Sequence, residues 1–317
     1  MLRLCSVFAV AVLAALAVAP AAPAGKRKRP AHVPALQIVP ERVYAINGTR
    51  VALVHRKIRF RGRVRQYVPG QVFSVRVRVG KRRYVRATRT ATPRGAGGEF
   101  VVEVKTHRVG RIRAVAGGGG LRARSRSVHV VRASAAYGQE GLHVQFLQRR
   151  LRDLRYLVGL SGRLGGSTQR AIMAYRKVSG LPRSFRASRA IFERLADGRG
   201  RFRSKFPNHG KHVEADLSRQ VLVLHDRRGR VFRILHTASG TSATPTVRGS
   251  FRVYSKTWGV NSLGMVHSVY FHRGYAIHGY PSVPAGPASH GCLRIPIPNA
   301  RFIYRWLDYG DRIDVYA

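Results

Sequence analysis

The stretch 276–295, AIHGYPSVPAGPASHGCLRI, sets a His278-Gly279 pair, a run rich in Pro, Gly and Ala, and the tetrad Ser289-His290-Gly291-Cys292 within twenty positions. A free thiol with a pKa of ~8.5 is only slightly ionised at neutral pH, and an imidazole beside it takes the proton and raises the reactive fraction. His278 is the candidate base and Cys292 the candidate nucleophile. Gly291 has no side chain, which lets its own N–H and that of Cys292 point at one spot where an oxyanion forms. YPSVPAGPA, with three prolines, reads as a rim loop that returns His278 toward Cys292 and leaves a cleft open. No Asp or Glu lies between Asp226 and Asp308. A triad carboxylate is therefore missing locally, and a backbone carbonyl near Gly279 is the more economical partner for the imidazole N–H.

The N-terminus explains why the cysteine stands alone. Arg3 precedes the apolar run VFAVAVLAALAVAPAAPAG, and Ala22 and Ala24 fit an A-x-A cleavage site. Residues 1–24 thus read as a secretory signal peptide, with an apolar run short of the ~20 residues a membrane span needs. Cleavage removes Cys5 and leaves Cys292 without a disulfide partner, so in an exported chain the thiol is either a deeply buried small hydrophobe or in use. No stable membrane span is expected afterwards, and the cell wall is the expected location. The formal charge of +46 comes from 59 Lys+Arg, nine of them Lys, against 13 Asp+Glu. That excess is spread from residue 26 to 312, which favours anionic wall polymers over nucleic acid as partners.

Residues 25–35 form a basic linker, and 36–132 alternate apolar and polar positions with period two. QVFSVRVRVG, RYVRATRTAT, EFVVEVKTH and RSVHVVRAS each read as strands separated by Gly and Pro clusters. About seven strands are expected, in an all-β sandwich whose pattern resembles Ig-like spacer domains. In 136–199 the period changes: Val144, Leu147, Leu151 and Leu154 line one helix face. Ser167 or Thr168 caps a second helix carrying Ile172 and Tyr175, Gly180 and Pro182 end it, and SRAIFERLADG supplies a third. These helices resemble the peptidoglycan-binding three-helix domain through GLHVQFLQRRL and GSTQRAIMAY, although Ser161, Leu164 and Arg176 depart from that pattern. A basic linker at 200–211 leads to 212–317, a mostly β domain with a helix at PNARFIYRWLDYG.

The C-terminal segment resembles the L,D-transpeptidase (YkuD-type) catalytic domain, whose signature is a His-Gly pair, a loop, then [ST]-H-G-C, an apolar residue and Arg or Asn. ADLSRQVLVLHDRRG, SGTSATPTVRGSFRV and ARFIYRWLDYGDRIDVY follow in family order. The resemblance implies a β-rich fold with the thiol at the bottom of a cleft. It also implies peptidoglycan stem peptides as donor and acceptor, no cofactor, and formation of 3→3 crosslinks through a thioester with loss of D-alanine. By the same resemblance Cys292 is the nucleophile, His278 the base and then acid, Gly291 and Cys292 the oxyanion amides, and Ser289, His290 and Gly279 supports. Tyr270 reaching the oxyanion and Arg294 holding a substrate carboxylate are its further implications. A zinc site built from His272, His278, His290 and Cys292 is disfavoured, because His290-x-Cys292 is tighter than usual ligand spacings. D-alanine removal alone and a silent wall-binding scaffold are the alternative functions.

Overall fold

The computed structural model describes residues 35–79 and 83–317, and residues 35–317 form one compact unit. The expected signal peptide lies outside the described residues. From residue 36 the chain forms eleven strands: β1 (Leu36–Glu41), β2 (Tyr44–Ile46), β3 (Thr49–Leu53), β4 (Lys57–Val64), β5 (Val72–Val79), β6 (Arg83–Thr90), β7 (Thr92–Arg94), β8 (Gly97–Lys105), β9 (Gly110–Gly118), β10 (Leu121–Arg124) and β11 (Val128–Val131). Strands β1-β4-β8-β7 make one sheet, and β2-β3-β11-β9-β5-β6, with β10 beside β9, make another. In β5 the alternation buries Phe73, Val75 and Val77 and exposes Ser74, Arg76 and Arg78, as a strand with one wet face requires. Phe73 stacks on Phe100 of β8 at 4.6 Å, and the two sheets share one core. The expectation of about seven strands fell short because β2, β7 and β10 have only three or four residues. The β2–β3 hairpin turns on Asn47-Gly48, both at positive φ, a two-residue turn that hides inside a longer alternating run.

Three helices follow: α1 (Leu142–Asp153), α2 (Gly166–Val178) and α3 (Arg189–Ala196). Val144, Leu147, Leu151, Ile172 and Tyr175 are all buried, as their spacing requires. The helices do not close a core of their own. Their cluster includes Ile46, Val51 and Leu53 from the N-terminal strands and Val221, Val223 and Ile234 from the C-terminal ones. The expected cap of α2 is also corrected: Gly165 is the N-cap residue and no side chain caps the helix. Ser167 Oγ instead accepts from Gly159 N–H at 3.0 Å, and Thr168 Oγ1 accepts from Gln148 Nε2 at 2.9 Å.

The C-terminal region contains β12 (His212–Asp216), β13 (Val221–His225), β14 (Val231–His236), β15 (Gly249–Arg252), β16 (Ser255–Val260), β17 (Val266–His272), β18 (Tyr275–Tyr280), β19 (Leu293–Pro296), α4 (Ile297–Trp306) and β20 (Arg312–Tyr316). Sheet β14-β13-β12-β20-β15 faces sheet β16-β17-β18-β19 across a shared core. Strand β13, VLVLH, is buried at every position. Its odd residues Val221 and Val223 pack toward the helices, while Leu222 and Leu224 pack toward the second sheet. A strand covered on both faces reads as a continuous apolar run. The outer edge of β14 is occupied as well, since Leu157 N–H donates to Ile234 O and Ile234 N–H to Arg155 O.

Candidate active site

Strands β18 and β19 run parallel, with Ile277 beside Leu293 and His278 beside Arg294. Register partners share a sheet face and alternate along each strand. Ile277, Leu293 and Ile295 therefore point into the core, where they are fully buried. His278 and Arg294 point the other way, and Cys292, two positions before Arg294, joins them. One step back in register, Cys292 lies beside Ala276, whose backbone hydrogen-bonds its thiol. On the other side of Ala276 stands Tyr270 of β17. One face thus carries the row Tyr270, Ala276, Cys292, with His278 one pleat along.

The turn that delivers the cysteine is held from several sides. Ser289 Oγ donates to Cys292 O at 2.6 Å and accepts from Gly291 N–H at 3.1 Å. Thr246 Oγ1 donates to Gly291 O at 2.7 Å, and Thr244 Oγ1 donates to Ser289 O at 3.0 Å. Gly291 sits at φ +112°, and a Cβ there would lie 2.7 Å from the Tyr275 ring. Only glycine accommodates both the conformation and that approach. The Gly291 N–H, expected to face the oxyanion, is spent on Ser289 instead.

His278 is 3% exposed, and its Nδ1 lies 3.0 Å from Gly279 O. A carbonyl only accepts, so Nδ1 carries the proton and Nε2 keeps the lone pair a base needs. This is the backbone orientation expected from the missing carboxylates. Burial lowers the His278 pKa, the Gly279 contact works against that, and Arg294 adds to the lowering. Burial raises the half-buried Cys292 thiol, partly offset by the Ala276 contact and Arg294. These directions leave Cys292 a thiol and His278 a neutral imidazole at neutral pH. Gly279 faces the core, where a Cβ would lie 2.7 Å from Ala300 Cβ of α4, so the helix holds this strand at close range.

The remaining expected site residues divide. Ser289 is buried in the turn, whereas His290 is exposed. Arg294 lies 4.0 Å over the Tyr280 ring and donates Nη1 to Ala288 O at 2.8 Å, so part of its fork is occupied by the protein itself. The Tyr270 hydroxyl accepts from Asn261 Nδ2 at 3.3 Å. Residue patterns missed Gly274 O, 3.6 Å from Cys292 Sγ, because a carbonyl leaves no mark in a sequence. Thr244 and Thr246 did leave one, as hydroxyls in the SGTSATPT loop.

Among the described residues, one group of side chains of metal-ligating type comes together: His212, Glu214 and His225, all buried in the sheet away from Cys292. The two imidazole rings stack at 4.1 Å with 7° between their planes. Parallel rings cannot both aim in-plane lone pairs at one ion. Glu214 already accepts from Lys205 N–H, Phe206 N–H and Tyr316 OH. The arrangement suits a buried carboxylate held by hydrogen bonds, and we assign no metal to it.

Residues 210–315 match the family model for the L,D-transpeptidase catalytic domain, YkuD. The crystal structure of an L,D-transpeptidase from Xylanimonas cellulosilytica is 33% identical, with a TM-score of 0.53 over 58% of this chain and 97% of that one. That share exceeds the third of the chain occupied by the family match. L,D-transpeptidase (Yku) from Stackebrandtia nassauensis is 20% identical, with a TM-score of 0.37 over 58% of this chain and 96% of that one. The catalytic domain of the E. faecium L,D-transpeptidase is 23% identical, with a TM-score of 0.30 over 34% of this chain and 98% of that one. None of the curated proteins compared matches the chain. With the matched domain and a 33% identical relative covered over almost its whole length, the chain belongs to the L,D-transpeptidase family.

Proposed function

We propose that the chain is an exported cysteine L,D-transpeptidase that forms 3→3 crosslinks in peptidoglycan. The observation that carries this reading is the pairing of β18 with β19, which puts Cys292 and His278 on one face with the His278 Nδ1 proton tied to Gly279 O. His278 Nε2 takes the thiol proton as Cys292 Sγ attacks the carbonyl of the third stem residue. The C–N bond to the terminal D-alanine then breaks, and the His278 proton leaves on its amine. An amine from a neighbouring stem attacks the thioester, returns its proton through His278 to Cys292, and completes the crosslink. The Cys292 N–H and the Tyr270 hydroxyl stabilise the oxyanion. Ser289 and Gly279 position the turn and the imidazole, His290 supports the loop, and Arg294 braces the rim beside the stem peptide.

We further propose that 36–132 acts as an Ig-like spacer and 136–199 as a peptidoglycan-binding helical region, followed by the 200–211 connector and the catalytic domain at 212–317. Both would hold the cleft among immobile strands, raising the effective substrate concentration. The +46 charge adds a weak, salt-sensitive attraction to anionic wall polymers. Incubation with soluble stem tetrapeptides followed by mass spectrometry tests the reaction: a 3→3 dimer plus free D-alanine is expected. Tripeptide and D-alanine without dimer would make it a carboxypeptidase, and neither product would leave the scaffold reading.

A further inference from the structure

The loop 281–288 joins His278 to the Cys292 turn, and residues outside the matched catalytic domain hold one of its carbonyls directly and a second through His236. Lys177, on the last turn of α2, is 4% exposed. Its Nζ lies 3.0 Å from Gln220 O, 2.8 Å from Thr237 O and 2.7 Å from His236 Nδ1. His236, at the end of β14, then places Nε2 2.9 Å from Val283 O. Val283 O accepts only, so Nε2 carries a proton and, in the neutral imidazole, Nδ1 accepts from Lys177. Arg183, just beyond α2, donates Nη1 to Ala285 O at 2.9 Å and Nη2 to Ser218 O at 3.1 Å. The far end of the same loop is anchored by the catalytic domain, with Ala288 N–H donating to Ser239 O at 2.8 Å.

A lysine buried to this depth costs folding energy unless its bonds are made, and a packing role alone is served by an apolar residue of similar length. Lys177 instead spends its polar group on a histidine whose other nitrogen reaches the active-site rim. We infer that Lys177 and Arg183 are positioning residues for the transpeptidase cleft: through His236 and directly, the helical region fixes the 281–288 loop, and so the space a stem peptide enters beside His278 and Cys292. The helical region is on this account part of the working cleft as well as a tether. The inference rests on the proposed roles of Cys292 and His278.

The test uses the full chain and four variants: Lys177→Met, Arg183→Ala, His236→Leu and His236→Gln. Gln at 236 can still accept from Lys177 and donate to Val283, and Leu cannot. Two readouts are followed, amide hydrogen exchange of the 281–288 segment and kcat/KM on a soluble stem tetrapeptide. In Lys177→Met, Arg183→Ala and His236→Leu, the segment should exchange about tenfold faster, with the β12–β13 amides unchanged. Their kcat/KM should fall about tenfold with much of the loss in KM, as expected for a misplaced cleft wall. Alkylation of Cys292 by iodoacetamide, which needs no cleft wall, should stay within about twofold, and His236→Gln should keep most of the activity. Equal losses in His236→Gln and His236→Leu would overturn the inference. So would wild-type loop exchange in Arg183→Ala, an exposed position whose replacement leaves the core intact. If the wild-type chain does not turn over the tetrapeptide, the proposed function fails, and loop exchange still decides whether the clamp exists.

Discussion

At the scale of the residue, the proposed chemistry rests on two neutral groups held ready rather than on a preformed ion pair. Burial lowers the His278 pKa and raises that of Cys292, so thiolate accumulates only when substrate arrives or the medium turns alkaline. Alkylation of free enzyme by iodoacetamide should accordingly keep rising past the midpoint of an ordinary thiol, ~8.5. A plateau already at pH 6 to 7 would mean a resting thiolate–imidazolium pair and contradict this account. Much of the proposed pair was legible in the sequence: Cys292 as the one cysteine beyond the expected signal peptide, the His at short range and the absence of carboxylates between Asp226 and Asp308 are matters of residue order. The fate of the Gly291 amide was not. Which way an N–H points depends on a φ of +112° and on Ser289 Oγ 3.1 Å away, neither of which leaves a pattern in residue types.

At the scale of the element, α4 and β18 meet where Gly279 leaves room. Gly279→Ala would press a methyl against Ala300 Cβ at 2.7 Å and the Ile297 backbone at 3.2 Å. Overpacking of that kind costs about 1–3 kcal/mol. A melting temperature lowered by several degrees is expected, with a larger loss in kcat because the Gly279 carbonyl that orients His278 moves too. Unchanged melting and turnover would show that the contact is not tight. The helix itself was readable from PNARFIYRWLDYG, but the glycine's neighbour was not, since close approach between elements distant in the fold has no local signal. The same limit applied to β13: VLVLH reads as a strand, yet period and composition do not say that helices cover one of its faces. The three helices looked like a separate bundle because their apolar stripes are complete. Their shared core with strands on either side emerges only in the assembled unit.

At the scale of the whole molecule, acid sensitivity is built into the β14-β13-β12-β20-β15 sheet. Burial pushes the Glu214 pKa up, but the bonds from His212, the Phe206 and Lys205 amides and Tyr316 outweigh it and hold it at about 2. Burial beside His212 takes His225 down to about 4. An imidazole kept neutral in the fold contributes stability that is full above its ordinary ~6.5 and lost as pH falls through its folded value. The Glu214 contribution is full above ~4.3 and is lost further down. The melting temperature should therefore fall between about pH 6.5 and 4 and continue to fall below it. A flat profile down to pH 4 would contradict the burial of His225 as a neutral group. The most direct test of the central claim is the intact mass of the chain after incubation with a carbapenem. A single covalent adduct is predicted in the wild type and none in Cys292→Ala, with slow acylation in His278→Ala; an adduct that persists in Cys292→Ala, or no adduct in a folded wild-type chain, would contradict the assignment of Cys292 as nucleophile.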